Sequence, residues 1–226
     1  MTAASHLKIC GITSVEDARL ANASGADYLG VLVDVGFSDR SLSLPEARTI
    51  AAAVDIKVVV LMCDPDPEAV REVAAGVEPY AIQFLGVETP QMLADLKSEL
   101  DCRIWKTVHL SGISGQAAVE EYVRAGVDAL LVDSAEERDG LLRLGGTGKL
   151  ADWTAAADLI KSVSLPVFLA GGIDPDNIER ALWEVRPYGI DLCSGVESHR
   201  GKKDPDKLRT LVDNYRNALN EIERGG

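Results

Sequence analysis

Two side chains suited to proton transfer lie at the ends of short apolar runs. Cys10 is in "KICGIT" (8–13), where an apolar run gives way to a polar segment, and Asp133 is in "ALLVDS" (129–134). A thiolate and a carboxylic acid can act as base and acid on one substrate if the fold brings them together. The alternative for Cys10 is a small buried core residue, the commoner role of a free cysteine. The alternative for Asp133 is a helix N-cap.

Two further apolar runs end in glycines that suit an anion. "LAGGIDPDN" contains Gly171 and Gly172, and "LCSGVES" contains Ser194 and Gly195. Backbone amides without neighbouring side chains can approach an anion closely, and a helix N-terminus adds a favourable dipole. These segments predict a phosphate-binding site, although glycine pairs also occur in plain turns.

The elements that must position these residues alternate along the chain. Capped helical segments, such as "SLPEARTIAAAV" with its Ser43 and Glu46 capping box, lie between apolar runs. Several of those runs are nearly continuous, which favours parallel strands covered on both faces. The predicted strands are 6–12, 28–35, 57–63, 81–86, 102–109, 129–134, 166–172 and 190–196.

Eight strand–helix units predict an α/β protein with a (β/α)8 barrel, with residues 1–226 forming a single domain. A doubly wound open sheet is the competing architecture. In a barrel, the candidate residues meet at the carboxyl ends of the strands, where active sites of this fold lie. Residues 135–153 form the least regular connection and include Gly145, Gly146 and Gly148, so we expect a mobile loop over the site.

Composition restricts the partners. The net charge of −13 argues against nucleic acid and anionic membranes, which both need a basic surface. No stretch approaches the roughly 20 apolar residues of a membrane helix, and the first residues lack a signal-peptide pattern. The four cysteines are scattered without a CxxC pair, which argues against a disulfide framework or zinc site. We expect a cytoplasmic protein with a small-molecule substrate and no metal; its oligomeric state stays open.

Several motifs occur in an order that resembles one enzyme family. "KICGITSVEDA" followed by "GADYLGVLV" is similar to the opening motif of phosphoribosylanthranilate isomerases, and "SDRSLSLPEA" is similar to their Ser-Pro-Arg loop and the helix after it. "LLVDS", "GGTGKLADW", "LAGGIDPDNI" and "DLCSGVES" resemble the later motifs, in order. The resemblance covers nearly the whole chain and implies a single-domain barrel enzyme of tryptophan biosynthesis.

The resemblance also implies a reaction and residue roles. The family converts N-(5'-phosphoribosyl)anthranilate, an aminoaldose, to its 1-deoxyribulose ketose isomer by an Amadori rearrangement, without cofactor or metal. Asp133 would be the general acid that opens the ribose ring, and Cys10 the general base that removes the C2' proton. Arg40 would pair with the anthranilate carboxylate, and Asp191 would line the pocket near the ribose. The residues implied at the phosphate are Gly171, Gly172, Ser194 and Gly195.

Three departures from the family motifs leave alternatives open. Leu85 stands where the family has a histidine, and Asp39 places an anion beside Arg40. Extra residues, "AEERDGLLRL", follow Asp133 and its neighbouring serine. One alternative is a related isomerase acting on a different phosphorylated aminosugar. The other is a non-catalytic barrel that binds a phosphosugar.

Overall fold

A closed sheet of eight parallel strands forms the centre of the molecule. The computed structural model describes residues 5–110, 114–133, 135–138, 141–144 and 152–225. The barrel strands are β1 (His6–Ile9), β2 (Tyr28–Val33), β3 (Lys57–Met62), β4 (Ala81–Phe84), β5 (Arg103–Val108), β6 (Ala129–Val132), β7 (Val167–Leu169) and β8 (Gly189–Leu192). Each strand pairs with its neighbours in chain order, and β1 pairs with both β2 and β8, which closes the barrel. The predicted (β/α)8 fold is confirmed.

The helices alternate with the strands and cover the outside of the barrel. They are α1 (Val15–Ser24), α2 (Leu44–Ala51), α3 (Pro67–Val77), α4 (Pro90–Glu99), α5 (Ser114–Arg124), α6 (Trp153–Ser162), α7 (Ile178–Val185) and α8 (Pro205–Gly225). The predicted capping box of α2 is present, with the Glu46 carboxylate accepting from the Ser43 amide at 2.8 Å. An N-cap or capping box marks the start of several helices, so the loops that precede these helices are anchored both by a strand and by a helix N-terminus.

Apolar side chains fill both faces of the sheet, as the continuous runs predict. The larger core lies between the strands and the helices, and a second apolar cluster fills the barrel interior. In that interior the Trp105 and Phe168 rings stack with centroids 4.9 Å apart, and Tyr28 meets the edge of Phe168 at 5.6 Å. Because side chains two residues apart share a face of a strand, the next inward residues after this aromatic layer reach the carboxyl rim.

Several strands end earlier than the apolar runs predict. The chain leaves β1 before Gly11, which has a φ of 70°, and leaves β7 before Gly171 and Gly172, whose φ values are 84° and 66°. A positive φ is incompatible with a regular strand. Ser194 and Gly195, predicted within the last strand, lie in a short 3-10 turn, Ser194–Val196.

Several short strands lie outside the eight-stranded barrel. Ser41–Leu42 adds to the edge of β2, and Glu197–His199 pairs with Lys202–Lys203. Ala135–Arg138 and Leu141–Leu144 form an antiparallel hairpin, so part of the connection predicted to be irregular has regular structure. The rest of that predicted mobile loop, including Gly145, Gly146 and Gly148, lies outside the described residues. Among the helices described, none is long and apolar enough to cross a bilayer.

Candidate active site

The carboxyl ends of the strands surround a cavity of about 530 Å³. Its wall is formed by the last inward-facing residues of the strands and by the loops that follow them. The cavity brings together seven of the eight predicted site residues, which come from the first, second, sixth, seventh and eighth strand–helix units: Cys10, Arg40, Asp133, Gly171, Gly172, Asp191 and Ser194.

Cys10 is both buried and part of the cavity wall. Its amide donates to the carbonyl oxygen of Leu192 on β8 at 2.7 Å, which fixes the backbone at the end of β1. Gly30 on β2 leaves room for the sulfur, which lies 2.8 Å from where a Cβ on Gly30 would stand. Burial raises the pKa of the Cys10 thiol to about 12, and the charge of Lys8 only partly opposes that shift. The thiol is therefore protonated at neutral pH in the free protein.

A buried ion pair lies close to Cys10. Lys8 Nζ donates to Asp191 Oδ2 at 2.7 Å, with the lysine side chain fully buried and the aspartate 8 % exposed. Burial alone would lower the pKa of Lys8, but the Asp191 carboxylate raises it overall. Asp191 was predicted from the sequence, whereas Lys8 was not. The available signal was the two-residue spacing from Lys8 to Cys10, which places both side chains on the inner face.

Asp133 follows β6 and lies half-buried on the cavity wall. Its amide donates to the carbonyl oxygen of Val108 at 3.3 Å. The carbonyl oxygen of Asp133 lies 3.2 Å from Nδ1 of His109, the residue after β5, and His109 also lines the cavity. Asp133 and Cys10 thus belong to one cavity although their strands are not adjacent in the sheet.

Arg40 is held by a carboxylate of the protein. Its Nε donates to Glu197 Oε1 at 2.8 Å and its Nη2 to Glu197 Oε2 at 2.6 Å. Lys203 Nζ donates to the same Oε1 at 3.0 Å. Burial raises the pKa of Glu197, but hydrogen bonds from Arg40 and the charge of Lys203 outweigh it and lower the pKa overall. Glu197 and Lys203 were missed because no local spacing connects them to Arg40 in the sequence.

The charge of Asp39, predicted to oppose that of Arg40, has its own partner. Asp39 Oδ2 accepts from Arg200 Nη1 at 2.9 Å, and both side chains are exposed at the rim. The cavity lining also includes apolar side chains, among them Phe37, which is 64 % exposed, and Leu85. The cavity therefore combines apolar surface with a buried guanidinium.

The glycine-rich segments meet at the part of the rim formed by the seventh and eighth strand–helix units. Gly171, Gly172 and Ser194 line the cavity. The carbonyl oxygen of Gly172 accepts from Asn177 Nδ2 at 2.9 Å, which ties this loop to the start of α7. Gly195 is packed behind the lining, where a Cβ would overlap the carbonyl oxygen of Ile173. Gly195 is thus needed for the close approach of two loops rather than for direct access to the cavity.

The four cysteines form no disulfide bond with one another. All four, at positions 10, 63, 102 and 193, are free thiols. In the ranges that the structure describes, no three His, Cys, Asp or Glu side chains come close enough to hold a metal ion. Cys63 and Cys193 line the cavity with Cys10, whereas Cys102 lies half-buried outside it.

Comparisons with known proteins agree with this architecture. Residues 7–214 match the family model described as N-(5'phosphoribosyl)anthranilate (PRA) isomerase. The N-(5'-phosphoribosyl)anthranilate isomerase of Methanocella arvoryzae is 36% identical over 214 residues, covering 93% of this chain and 98% of that protein. The phosphoribosyl anthranilate isomerase structure from Thermotoga maritima superposes with a TM-score of 0.82 at 29% identity, covering 94% of this chain and 99% of that one. A phosphoribosyl anthranilate isomerase in complex with reduced 1-(o-carboxyphenylamino)-1-deoxyribulose 5-phosphate gives a TM-score of 0.80 at 27% identity, covering 94% and 99% of the two chains.

Proposed function

Because the chain belongs to the N-(5'-phosphoribosyl)anthranilate isomerase family, we propose a role in that reaction for each residue at the barrel rim. The enzyme isomerises an aldose to a ketose in tryptophan biosynthesis, converting N-(5'-phosphoribosyl)anthranilate to 1-(o-carboxyphenylamino)-1-deoxyribulose 5-phosphate. Proton transfers alone accomplish this Amadori rearrangement, so acid and base side chains suffice for the chemistry.

Asp133 is the general acid of the first step. It protonates the ribose ring oxygen, the C1'–O bond breaks, and the nitrogen lone pair forms a C1'=N bond. The product is an open-chain cationic Schiff base with a new hydroxyl at C4'. The position of Asp133 on the cavity wall, half-buried at the end of β6, supports this role.

Cys10 is the general base of the second step. The cationic Schiff base acidifies the C2' proton, which the thiolate removes to give a neutral enolamine. The enolamine then tautomerises, gaining a proton at C1' and losing one from the C2' hydroxyl, to give the ketose. Asp133, a carboxylate after the first step, accepts the Cys10 proton, and the resulting thiolate takes the C2' proton, so both groups return to their protonated forms.

The charge of the intermediate accounts for activity despite a buried thiol. Burial raises the pKa of Cys10 to about 12, and an opposite charge within a few ångströms lowers a thiol pKa. Lys8 supplies one such charge permanently. The Schiff base supplies a second only after Asp133 has acted, so the fraction of Cys10 present as thiolate increases at the step in which the C2' proton has become acidic.

The remaining residues bind the two ends of the substrate. We assign the phosphate to the loops containing Gly171, Gly172, Ser194 and Gly195. Gly171 and Gly172 have positive φ values, and Gly195 lets the two loops pack closely, a geometry in which successive backbone amides can bind an anion. Asp191 lies near the ribose. Arg40 binds the anthranilate carboxylate while Glu197 holds its guanidinium in place. An exposed Phe37 and Leu85 supply the apolar surface for the aromatic ring.

The alternative of a different phosphorylated aminosugar rested on Leu85 and Asp39. The Asp39 carboxylate pairs with Arg200 at 2.9 Å, which weakens the argument from Asp39, and Leu85 contributes an apolar side chain to the cavity lining. The alternative of a non-catalytic phosphosugar-binding barrel would leave a thiol and a carboxyl group on one cavity wall without a purpose. Among the described residues, no contact favours either alternative.

One observation supports the assignment above all others: Cys10 and Asp133 line the same cavity as the glycine loops. The test adds purified protein to freshly prepared N-(5'-phosphoribosyl)anthranilate and follows the fluorescence of the anthranilate group. Cys10→Ala and Asp133→Asn should each lower kcat/KM by about 10²–10⁴. Cys102→Ala, at a thiol outside the cavity, and Asp101→Asn, at an exposed carboxylate, are matched controls. No turnover by folded parent protein would refute the assignment.

We also propose that residues 1–226 act as one domain in the cytoplasm. The pairing of β1 with β8 supports one domain, because the barrel closes between opposite ends of the chain. Four free cysteines suit a reducing compartment. Fractionation of cells that express the full chain, with its catalytic activity as the marker, tests the location.

A further inference from the structure

His109 lines the cavity, with one ring nitrogen hydrogen-bonded to the protein and the other buried without a partner among the described residues. Nδ1 lies 3.2 Å from the carbonyl oxygen of Asp133. A carbonyl oxygen can only accept a hydrogen bond, so Nδ1 carries the hydrogen and donates it. In the neutral ring, Nε2 then carries a lone pair and is a hydrogen-bond acceptor.

The environment keeps the imidazole neutral. Burial lowers the pKa of His109, and the nearby Lys106 ammonium lowers it further, against a smaller opposing effect of the hydrogen bond to Asp133. Nε2 is buried, and within the described part of the chain it has no hydrogen-bond partner. A buried acceptor without a donor is unfavourable, so the site favours a ligand that brings a donor.

Two other acceptors, on other strands around the same cavity, share this property. Gln83 Oε1 and Asp191 Oδ1 are buried and, among the described residues, receive no hydrogen bond. Both residues line the cavity together with His109. Three such acceptors around one cavity indicate a ligand that carries several hydrogen-bond donors. The hydroxyl groups of a sugar are donors of this kind.

Register places His109 beside the proposed acid. Thr107 on β5 pairs with Leu131 on β6, and Val108 pairs with Val132, so His109 and Asp133 are the next pair along the two strands. Parallel partners share a face of the sheet, and both residues line the cavity. A hydroxyl generated at Asp133 would therefore form close to His109.

We propose that His109 is a further substrate-binding residue, whose Nε2 accepts a hydrogen bond from a hydroxyl of the opened sugar chain, most directly the C4' hydroxyl formed beside Asp133. This inference rests on the proposed function. The bond forms only after ring opening, because the oxygen has no hydrogen to donate while it is part of the ring. His109 thus stabilises the open chain against reclosure, and its Nδ1 holds the backbone of the acid in position.

The test uses reduced 1-(o-carboxyphenylamino)-1-deoxyribulose 5-phosphate, an open-chain ligand with free hydroxyls, as the probe. His109→Ala should weaken its binding about tenfold, since one hydrogen bond contributes on the order of 1 kcal/mol. His109→Asn keeps an amide near Nδ1 and should lose as much, whereas His109→Gln places an amide near Nε2 and should recover most of the affinity. Binding of inorganic phosphate should not change in any of the three.

Nuclear magnetic resonance of the unmutated enzyme provides a second measurement that does not depend on variant folding. With ¹⁵N-labelled histidine, free His109 should show the neutral Nδ1–H tautomer, and the probe should move the Nε2 resonance towards a hydrogen-bonded value. An unchanged Nε2 resonance, or unchanged probe affinity in a folded His109→Ala variant, would overturn the inference. Failure of the proposed function is distinguishable, because the parent protein itself would then not convert the aminoaldose.

Discussion

Arg40 and Glu197, 157 residues apart in the chain, form a two-pronged ion pair at the cavity rim, with contacts of 2.8 and 2.6 Å. The guanidinium comes from the loop after β2 and the carboxylate from the short strand after β8. Both are buried, with side chains 9 % and 3 % exposed. The pair therefore joins the loops on either side of β1, which contributes Cys10, and it fixes the orientation of the proposed anthranilate-binding arginine.

Glu197→Gln should destabilise the protein by roughly 3 kcal/mol, because removing one charge leaves the buried Arg40 and Lys203 without their counter-ion. Urea unfolding at pH 7 measures this difference. Glu16→Gln is the control, since Glu16 makes only a surface ion pair with Lys202 and should change the free energy of unfolding by less than about 1 kcal/mol.

The effect of Glu197→Gln should also depend on pH. The pKa of Glu197 is lowered in the folded protein, so its stabilisation is fully present above the unfolded pKa of about 4.3 and is lost as pH falls through the lower folded value. The gap in unfolding free energy between parent and variant should therefore narrow below about pH 4. A gap of constant size from pH 7 to pH 3 would contradict this account.

Lys8→Met should be more harmful to stability than most core changes. It leaves Asp191 as a buried charge without a partner, at a cost of about 3–5 kcal/mol. Adding Asp191→Leu should restore part of the stability, because the double variant buries no charge at this position. Activity should not return in the double variant, since Cys10 would lack the Lys8 charge that lowers its pKa. Urea unfolding and kcat/KM of both variants separate the two effects, and a double variant no more stable than Lys8→Met would argue against the pairing.

Much of the site could be predicted from short sequence patterns and from the ends of the predicted strands. The alternation of apolar runs with helical segments predicted the barrel, and the positions of Cys10 and Asp133 at the ends of two runs placed both residues at the same rim. Ion pairs between residues distant in the chain could not be predicted from these short patterns. Nothing near Arg40 in the chain indicates that Glu197 neutralises it, because that contact depends on closure between β1 and β8.

The alternation of side chains between the two faces of a strand would have predicted more of the site residues. Lys8 precedes Cys10 by two residues and His109 follows Thr107 by two, so each faces inward with a residue of the cavity wall. The two-residue alternation along each strand was not applied, so neither Lys8 nor His109 was predicted to face the cavity. Strand lengths were overestimated for a different reason, because apolar residues continue past the last sheet hydrogen bond into turns at Gly11 and Gly171.

Gly195→Ala should disrupt the proposed phosphate site. A Cβ there would overlap the backbone carbonyl oxygen of Ile173, which cannot move aside without shifting the loop after β7. We expect lower thermal stability and a loss of the stabilisation that inorganic phosphate gives the parent by mass action. Gly36→Ala is the control, because a Cβ at Gly36 meets nothing within 4 Å. Thermal unfolding with and without phosphate measures both, and equal phosphate effects in the Gly195→Ala variant and the parent would remove this segment from the site.

Cys10 of the free enzyme should react slowly with iodoacetamide at pH 7. With burial raising the pKa of the thiol to about 12, the reactive thiolate is only about one part in 10⁵ at that pH. The rate should increase about tenfold per pH unit from 7 to 10 without reaching a plateau, because the thiolate fraction grows in proportion over that range. Mass spectrometry of quenched samples gives the rate at each cysteine, and the exposed tripeptide glutathione serves as an unburied reference. Rapid modification at pH 7 with a midpoint near 8.5 would mean that the thiolate forms without the cationic intermediate, and the proposed order of acid before base would then lose its physical reason.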